Sequence, residues 1–317
     1  MLRTLLVPLD GSPLAEHVLT TAATLAQRAG ATLDLVRVHR PLVFGDLADV
    51  ERWERTARRD EREFLRLVAE RLAANYDVRT TTALLDEPVA SAICQRAIAV
   101  GADLVAMATH GRTGFSRAWL GSIADAVAHE APVPVLLLRG ESTLAALREG
   151  SRPPDAWASE PARSISRVIV ALDGSGLAEQ ALAPAIDLAR AFGASIHLLR
   201  VVEPVLVRAV EYPLFYALPL PAVDDDGGEA VAQQARDYVR AVASRIRSET
   251  SVDVEVEVVV ADSAAPAIID AAWAHQADVV ALATHGRGAS RLVVGSVADK
   301  VLRAGPEAVL LFRPVQD

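Results

Sequence analysis

A parallel α/β sheet with helices on both faces, built twice in one chain, is the fold that the sequence predicts. Short apolar runs alternate with longer stretches of helical periodicity, the arrangement that gives parallel strands joined by right-handed crossovers. The same order of runs occurs in both halves, and two glycine-bearing loops recur at matching places. A length of 317 residues and an apolar content of 51% suit two domains of ordinary size.

The repeat is clearest near the start of each half. Val7–Glu16 and Val170–Glu179 share the pattern VxLDGSxLAE at an offset of 163 residues. A stretch rich in Pro, Ser, Gly and charged residues separates the halves. We therefore predict domains over residues 1–140 and 164–317, joined by a linker over residues 141–163.

Half one is predicted to contain five strands, over Leu5–Leu9, Thr32–Val38, Val78–Leu85, Leu104–Ala108 and Val133–Leu138. Ser12 can cap the first helix, Pro13 fits its first turn, and Gly30 ends it. The other helices are predicted over residues 47–76, 88–100 and 122–130. Half two repeats this, with strands near Val168–Leu172, Ser195–Val201, Val252–Val260, Val279–Ala283 and Ala308–Phe312.

The two glycine-bearing loops follow strand four of each half. Residues 108–112 and 283–287 both read ATHGR, and each loop leads to a Gly-Ser pair, Gly121-Ser122 or Gly295-Ser296, at a helix start. Backbone N–H groups in such a turn, and at the following helix start, favour an anion. Ligands bind where the strand order of an open parallel sheet reverses, so strands one and four should be neighbours, in the order 3-2-1-4-5.

The polar side chains around these loops each allow more than one interpretation. Asp10 and Asp173 can accept hydrogen bonds from a base or ribose, or cap the following turn. Ser122 and Ser296 begin capping-box patterns that are compatible with phosphate binding. The loop histidines, His110 and His285, can be bases, metal ligands or hydrogen-bond donors; we favour hydrogen bonding and predict no metal ligand. Arg112 and Arg287 can contact phosphate or remain solvated.

Composition excludes several function classes. A net charge of −9 disfavours nucleic acid as a partner. Cys94 is the only cysteine in the sequence, which excludes an internal disulfide. Its apolar helical surroundings favour a buried small residue over a reactive thiol. No signal peptide, membrane span, P-loop, GxGxxG or GxSxG motif occurs. We expect a soluble cytoplasmic protein. The Pro-rich segment Glu203–Glu229 is either a loop packed on its own domain, or a lid or partner surface.

Taken together, VxLDGS near each start, ATHGR after strand four and the Gly-Ser pair before the last helix make both halves resemble universal stress protein domains in tandem. The resemblance covers nearly the whole chain outside the linker. It implies ATP, with or without Mg²⁺, as the ligand. It also implies a pseudo-twofold relation in which the terminal strands of the halves pair within one chain as an intramolecular pseudo-dimer. A second copy of the chain, in a homodimer, and an unknown regulatory protein are further expected partners.

Matching the family motif to this sequence implies a set of nucleotide-binding residues. The set in half one is Asp10, Gly11, Ser12, Val38, Ala108, His110, Gly111, Arg112, Gly121, Ser122 and Ile123. The set in half two is Asp173, Val201, Ala283, Gly286, Gly295, Ser296 and Val297.

The sequence departs from the family pattern at two places. The first glycine of the ATP-binding motif is Ala108 in half one and Ala283 in half two. Nine residues separate Gly111 from Gly121, but only eight separate Gly286 from Gly295. We expect half one to be the better site, in an ATP-binding sensor or regulator that is at most a slow ATPase. The alternatives are a nucleotide-free interaction protein with structural glycine loops and an adenylate-forming enzyme, which the scarcity of lysine disfavours.

Overall fold

A computed structural model of the chain describes residues 1–41, 47–109, 120–140, 156–159, 164–204, 226–284, 295–306 and 308–314. The chain forms two units that divide between Ser164 and Ile165. Each unit is an α/β sheet structure, as the sequence predicts.

In the first unit at least one helix lies between every two consecutive strands, so every connection between strands is a helical crossover. In chain order they are β1 (Thr4–Pro8), α1 (Pro13–Glu16), α2 (Val18–Ala29), β2 (Thr32–His39), α3 (Leu47–Tyr76), β3 (Arg79–Asp86), α4 (Val89–Val100), β4 (Leu104–Ala108), α5 (Ser122–Glu130) and β5 (Val135–Leu138). All pairings are parallel, in the order β3-β2-β1-β4-β5. The predicted order is therefore confirmed.

The second unit repeats this architecture. Its elements are β6 (Arg167–Ala171), α6 (Gly176–Glu179), α7 (Leu182–Phe192), β7 (Ser195–Val202), α8 (Asp226–Glu249), β8 (Val254–Val260), α9 (Ala264–Ala274), β9 (Val279–Ala283), α10 (Ser296–Ala304) and β10 (Ala308–Phe312). The parallel order is β8-β7-β6-β9-β10. Predicted and observed strand bounds differ by at most two residues in either unit.

Burial distinguishes the central strands of the sheet from its edge strand. The middle residues of β1 and all of β4 are buried, because helices cover both faces of a parallel sheet. The edge strand β3 instead mixes exposed and half-buried residues and is rich in threonine. Cys94 is buried on α4, as predicted.

The first predicted helix is correct at both ends but is not continuous. Ser12 caps it, since its side chain accepts a hydrogen bond from the Ala15 N–H, and Pro13 is its first residue. Gly30 ends it in the left-handed region at φ 66°. Between them the helix is interrupted at His17, so that α1 and α2 are separate. The second unit repeats the interruption between α6 and α7.

The predicted linker contains a short 3-10 turn, Ala156–Ser159, that belongs to the first unit. The turn contacts α1, α2 and α3, and the side chain of Trp157 is fully buried. Thus at least this part of residues 141–163 packs on the first unit. Among the described residues, no helix combines the length and the apolar character that a membrane crossing needs.

Candidate functional site

The described members of the predicted ligand set in the first unit lie at the carboxyl ends of β1, β2 and β4 and at the start of α5. β1 pairs with β2 on one side and with β4 on the other. The chain leaves β1 toward β2 and later returns to the opposite side of β1, so the order reverses here. Such a reversal opens a crevice in which open parallel sheets bind ligands.

Asp10 organises the turn at which β1 ends. Its Oδ1 accepts a hydrogen bond from the Ser12 N–H at 2.8 Å, which is an Asx turn. Gly11 between them has φ 78°, a conformation that favours glycine. Ser12 then caps α1 through the Ala15 N–H at 3.2 Å. The sequence left a turn cap and a ligand role open for Asp10, and the cap is present in the structure.

Val38 lies on β2 beyond the end of β1. The last pair of the β1–β2 ladder joins Pro8 to Val36, and a further bond joins the Leu9 N–H to the Val36 carbonyl at 2.8 Å. β2 continues to His39, so the backbone at Val38 extends past β1 into the edge of the crevice.

Arg37 lies beside the candidate site and is not among the residues predicted from the sequence. Its guanidinium group lies against Gly11, where it would collide with any added Cβ atom. Arg37 Nε is 3.4 Å from Glu61 Oε1, and its Cζ lies 5.2 Å from the centre of the Phe64 ring. These contacts hold a cation beside the Asp10 turn.

A sequence signal for Arg37 existed. Arg200 stands at the same offset of 163 residues, and each arginine lies between two apolar residues near the end of its strand, VRV in half one and LRV in half two. Arg200 Nη1 donates to the Leu172 carbonyl at 3.3 Å, again at the end of the first strand of its unit. The repeated charge therefore marks the same position in both units, beside the turn that follows the first strand.

α5 begins next to the end of β4. The Gly121 N–H donates to the Thr109 carbonyl at 2.8 Å, and the Thr109 N–H donates to the Leu138 carbonyl at 3.0 Å. The two ends of the glycine-bearing loop therefore meet, which fixes the start of α5 at the carboxyl edge of the sheet.

The predicted capping boxes at Ser122 and Ser296 are wrong by one residue. Gly121 is the N-cap of α5, with φ −61° and ψ 142°, and no side-chain hydrogen bond caps the helix. Ser122 is already the first helical residue, because the Gly121 carbonyl accepts the first helical bond from the Asp125 N–H at 2.9 Å. Gly295 plays the same part for α10.

A glycine N-cap changes what the helix start can do chemically. The first N–H groups of a helix have no intrahelical acceptor, and they carry the positive end of the helix dipole. In α5 these groups belong to Ser122 and Ile123, both exposed, and to Ala124. The start of α5 therefore suits an anion.

The second unit repeats this arrangement with different contacts. Asp173 Oδ1 accepts from both the N–H and the hydroxyl of Ser175, at 2.8 Å and 2.5 Å. The Gly295 N–H donates to the Thr284 carbonyl at 2.7 Å, and a Cβ atom at Gly295 would lie 3.0 Å from that oxygen. Val201 lies near the end of β7, Ala283 ends β9, and Ser296 and Val297 begin α10.

Tyr238 adds a half-buried hydroxyl to the second unit. It donates to Glu179 Oε1 at 3.0 Å, and Glu179 also pairs with Arg245. Burial, together with the carboxylates of Glu179 and Asp173, raises the pKa of Tyr238 well above its usual value, although Arg200 opposes the shift. Tyr238 is thus kept neutral, as a hydrogen-bond donor.

Part of each predicted site lies outside the described residues. This applies to His110, Gly111 and Arg112 in the first unit, to His285, Gly286 and Arg287 in the second, and to residues 205–225 of the Pro-rich segment. The roles implied for these residues stay predictions.

Comparison with known proteins identifies the family. The model of the universal stress protein family matches residues 1–139 and 164–313. A universal stress protein from Thermus aquaticus is 36% identical over 141 residues, which are 44% of this chain and 100% of the relative. A universal stress protein from Mycolicibacterium smegmatis is 25% identical over 319 residues, covering 98% of this chain and 97% of the relative.

The fold comparison agrees with the sequence comparison. The crystal structure of a universal stress protein from Archaeoglobus fulgidus superposes with a TM-score of 0.70 at 19% identity, covering 98% of both chains. The chain therefore belongs to the universal stress protein family, of which it carries two domains in tandem.

Proposed function

We propose that the protein binds an adenine nucleotide, ATP with or without Mg²⁺, in the crevice of its first unit and acts as a sensor or regulator. The observation that carries the proposal is the start of α5. Its N-cap is a glycine, no side chain caps it, and a hydrogen bond to Thr109 holds it at the carboxyl end of β4. The free N–H groups and the dipole at such a helix start favour binding of a phosphate.

The spacing of the strands suits a nucleotide. β2 and β4 flank β1, so their ends are about 10 Å apart, two strand spacings of about 4.8 Å each. A base near Val38 and phosphates near Gly121 would span this distance. Asp10 follows β1, between them, and the guanidinium of the β2 residue Arg37 lies against the neighbouring Gly11, so a carboxylate and a guanidinium face the ligand here.

Identification of any nucleotide that co-purifies with the protein tests the proposal. Full-length protein, purified quickly without added nucleotide, is denatured, and the released small molecules are identified by mass spectrometry. The expected result is an adenine nucleotide, with binding of added ATP in calorimetry. Phosphate release by the same sample measures any slow hydrolysis. If no adenine nucleotide is released and no ATP binding is detected, the results favour the alternative, an interaction protein whose glycine loops are structural.

A further inference from the structure

We propose that the second unit contains a zinc site formed by His197, Glu257 and His275, separate from the nucleotide crevice. His197 lies on β7, Glu257 on the neighbouring strand β8, and His275 directly after α9. The Nε2 atoms of both histidines lie 2.9 Å from the same oxygen, Oε2 of Glu257. All three ligand atoms lie within 4.8 Å of one another.

The convergence of these atoms is the feature that points to an ion. Without an ion, each Nε2 must carry a hydrogen to donate to Oε2 of Glu257. A divalent ion bonded to all three atoms replaces those hydrogens and neutralises the carboxylate. In tetrahedral zinc sites ligand atoms are about 3.3 Å apart, given bond lengths of about 2.0 Å. The ligand pairs that are now 2.9 Å apart would have to open by only a few tenths of an ångström.

The surroundings of His197 and His275 resemble the outer shell of a metal site. Nδ1 of His197 lies 3.3 Å from Oε2 of Glu255, so Glu255 can accept a hydrogen bond from a ring whose Nε2 binds metal. The centres of the His197 and His275 imidazole rings are 4.2 Å apart. His275 is fixed through its backbone, because its N–H donates to Ala271 at 2.9 Å and its carbonyl accepts from Arg167 Nη1 at 2.6 Å.

Access is available from one side. The His197 side chain is only 5% exposed, whereas those of Glu257 and His275 are 34% and 31% exposed. A cavity of about 500 Å³ is lined by Glu257 and His275, and also by Asp262 and Asp270. An ion can therefore reach the ligands, and water can supply a fourth ligand, as in zinc sites with three protein ligands.

The first unit supplies an internal comparison. Asp34 stands at the position of His197, third in the second strand of its unit. Its carboxylate is bound by Arg96, at 2.8 Å and 3.0 Å, and by Thr81 at 2.6 Å. There an arginine neutralises the carboxylate. In the second unit Ala271 takes the position of Arg96, at the offset of 175 residues that relates the two halves here.

Two imidazoles and one carboxylate favour zinc and neighbouring transition ions over Mg²⁺ or Ca²⁺, which prefer oxygen ligands. No metal ligand is predicted from the sequence, because these three residues do not have a ligand spacing along the chain. Here His197 and Glu257 are 60 residues apart and Glu257 and His275 are 18 apart, so only the fold brings them together.

The test is titration of full-length, tag-free protein with Zn²⁺ after chelator treatment, with no nucleotide present. We expect one Zn²⁺ per chain. His275→Ala and Glu257→Gln should each lower the affinity at least tenfold. Glu255→Gln should lower it about tenfold, because Glu255 orients the ring of His197 through Nδ1. His129→Ala, a histidine of the first unit beside Asp125, is the matched control and should bind as the parent does.

Two further measurements keep the result interpretable. Thermal unfolding shows that each variant is folded, and Co²⁺ in place of Zn²⁺ should give the intense visible absorption of a tetrahedral site in the parent but not in His275→Ala. The affinity for ATP should be the same in the parent and in His275→Ala. Zinc binding that is absent, or undiminished in folded His275→Ala and Glu257→Gln, would overturn the proposal without affecting the nucleotide site.

Discussion

Asp10 holds the turn after β1 through one carboxylate oxygen, and the same residue is proposed to contact the nucleotide. Asp10→Asn separates these roles, because an amide oxygen can still accept from the Ser12 N–H but the charge is gone. We expect Asp10→Asn to unfold at nearly the parent temperature and to bind ATP about fivefold more weakly, a loss of about 1 kcal/mol for one charge-assisted hydrogen bond.

Asp10→Ala is the companion variant, since it removes both roles. It should lose about 1 kcal/mol of stability in addition to affinity. Calorimetry and thermal unfolding on the same samples make the comparison. An Asp10→Asn variant that binds ATP as tightly as the parent would leave Asp10 as a turn cap alone.

Tyr238 gives a prediction about alkaline pH. Its folded pKa is raised above the unfolded value near 10, mainly by burial and then by Glu179. Its contribution to stability is therefore complete below pH 10 and is lost as the pH rises through the folded pKa. Tyr238→Phe loses a hydrogen bond at pH 8, worth about 1 kcal/mol, but has no hydroxyl to ionise in the unfolded state.

The free energy of unfolding of Tyr238→Phe should thus approach that of the parent between pH 8 and pH 11. Urea titrations at both pH values measure it. A difference between the two proteins that stays constant or widens toward pH 11 would contradict the assignment.

At the scale of elements, the 3-10 turn Ala156–Ser159 is predicted to stabilise the first unit. Trp157 is fully buried where this turn contacts α1, α2 and α3. Trp157→Ala should therefore cost about 3–5 kcal/mol of unfolding free energy, whereas Trp53→Ala, whose side chain is 59% exposed, should cost little.

Trp157→Phe adds a sharper comparison. The indole N–H of Trp157 has no hydrogen-bond partner among the described residues. Phe keeps most of the apolar contact and removes that buried polar group, so it should be much less destabilising than Ala. Urea unfolding of the three variants checks this, and equal losses for Trp157→Ala and Trp53→Ala would show that the turn does not belong to the core.

Helix and strand bounds followed from the sequence wherever the signal is local. Ser12 and Pro13 start α1 as predicted, because a cap and a first-turn proline act within a few residues. The start of α5 at Ser122 was also predicted, but its N-cap was not. Gly121 takes that place instead of Ser122, and the hydrogen bond from Gly121 to Thr109 that holds it spans a whole loop.

The candidate site was predictable to the same extent. The strand order placed Asp10 and Gly121 at one sheet edge, since the repeat identified both loops. Arg37 was missed because its contacts with Gly11 and Glu61 form only when β1, β2 and α3 assemble. His197, Glu257 and His275 were missed for the same reason.

For the whole molecule, the repeat places the same elements around two crevices but does not make them equal. Both units have a glycine N-cap bonded to the threonine that follows the fourth strand. The loop of the second unit is one residue shorter between its glycines. One residue contributes up to about 3.6 Å of reach, more than a hydrogen bond tolerates. We therefore expect nucleotide binding in the first unit.

The most direct measurement is calorimetric titration with ATP of the parent, Gly121→Val and Gly295→Val. The glycine N–H at each helix start bonds to a threonine carbonyl, and at Gly295 a Cβ atom would lie 3.0 Å from that oxygen. Because both helix starts have this bond, we expect each substitution to displace its own helix start. Thermal unfolding of both variants controls for folding. We expect about one strong site per chain, weakened at least tenfold by Gly121→Val, or about 1.4 kcal/mol, and retained in Gly295→Val. Two equal sites in the parent, or loss of the strong site with Gly295→Val alone, would contradict the assignment of the nucleotide to the first unit.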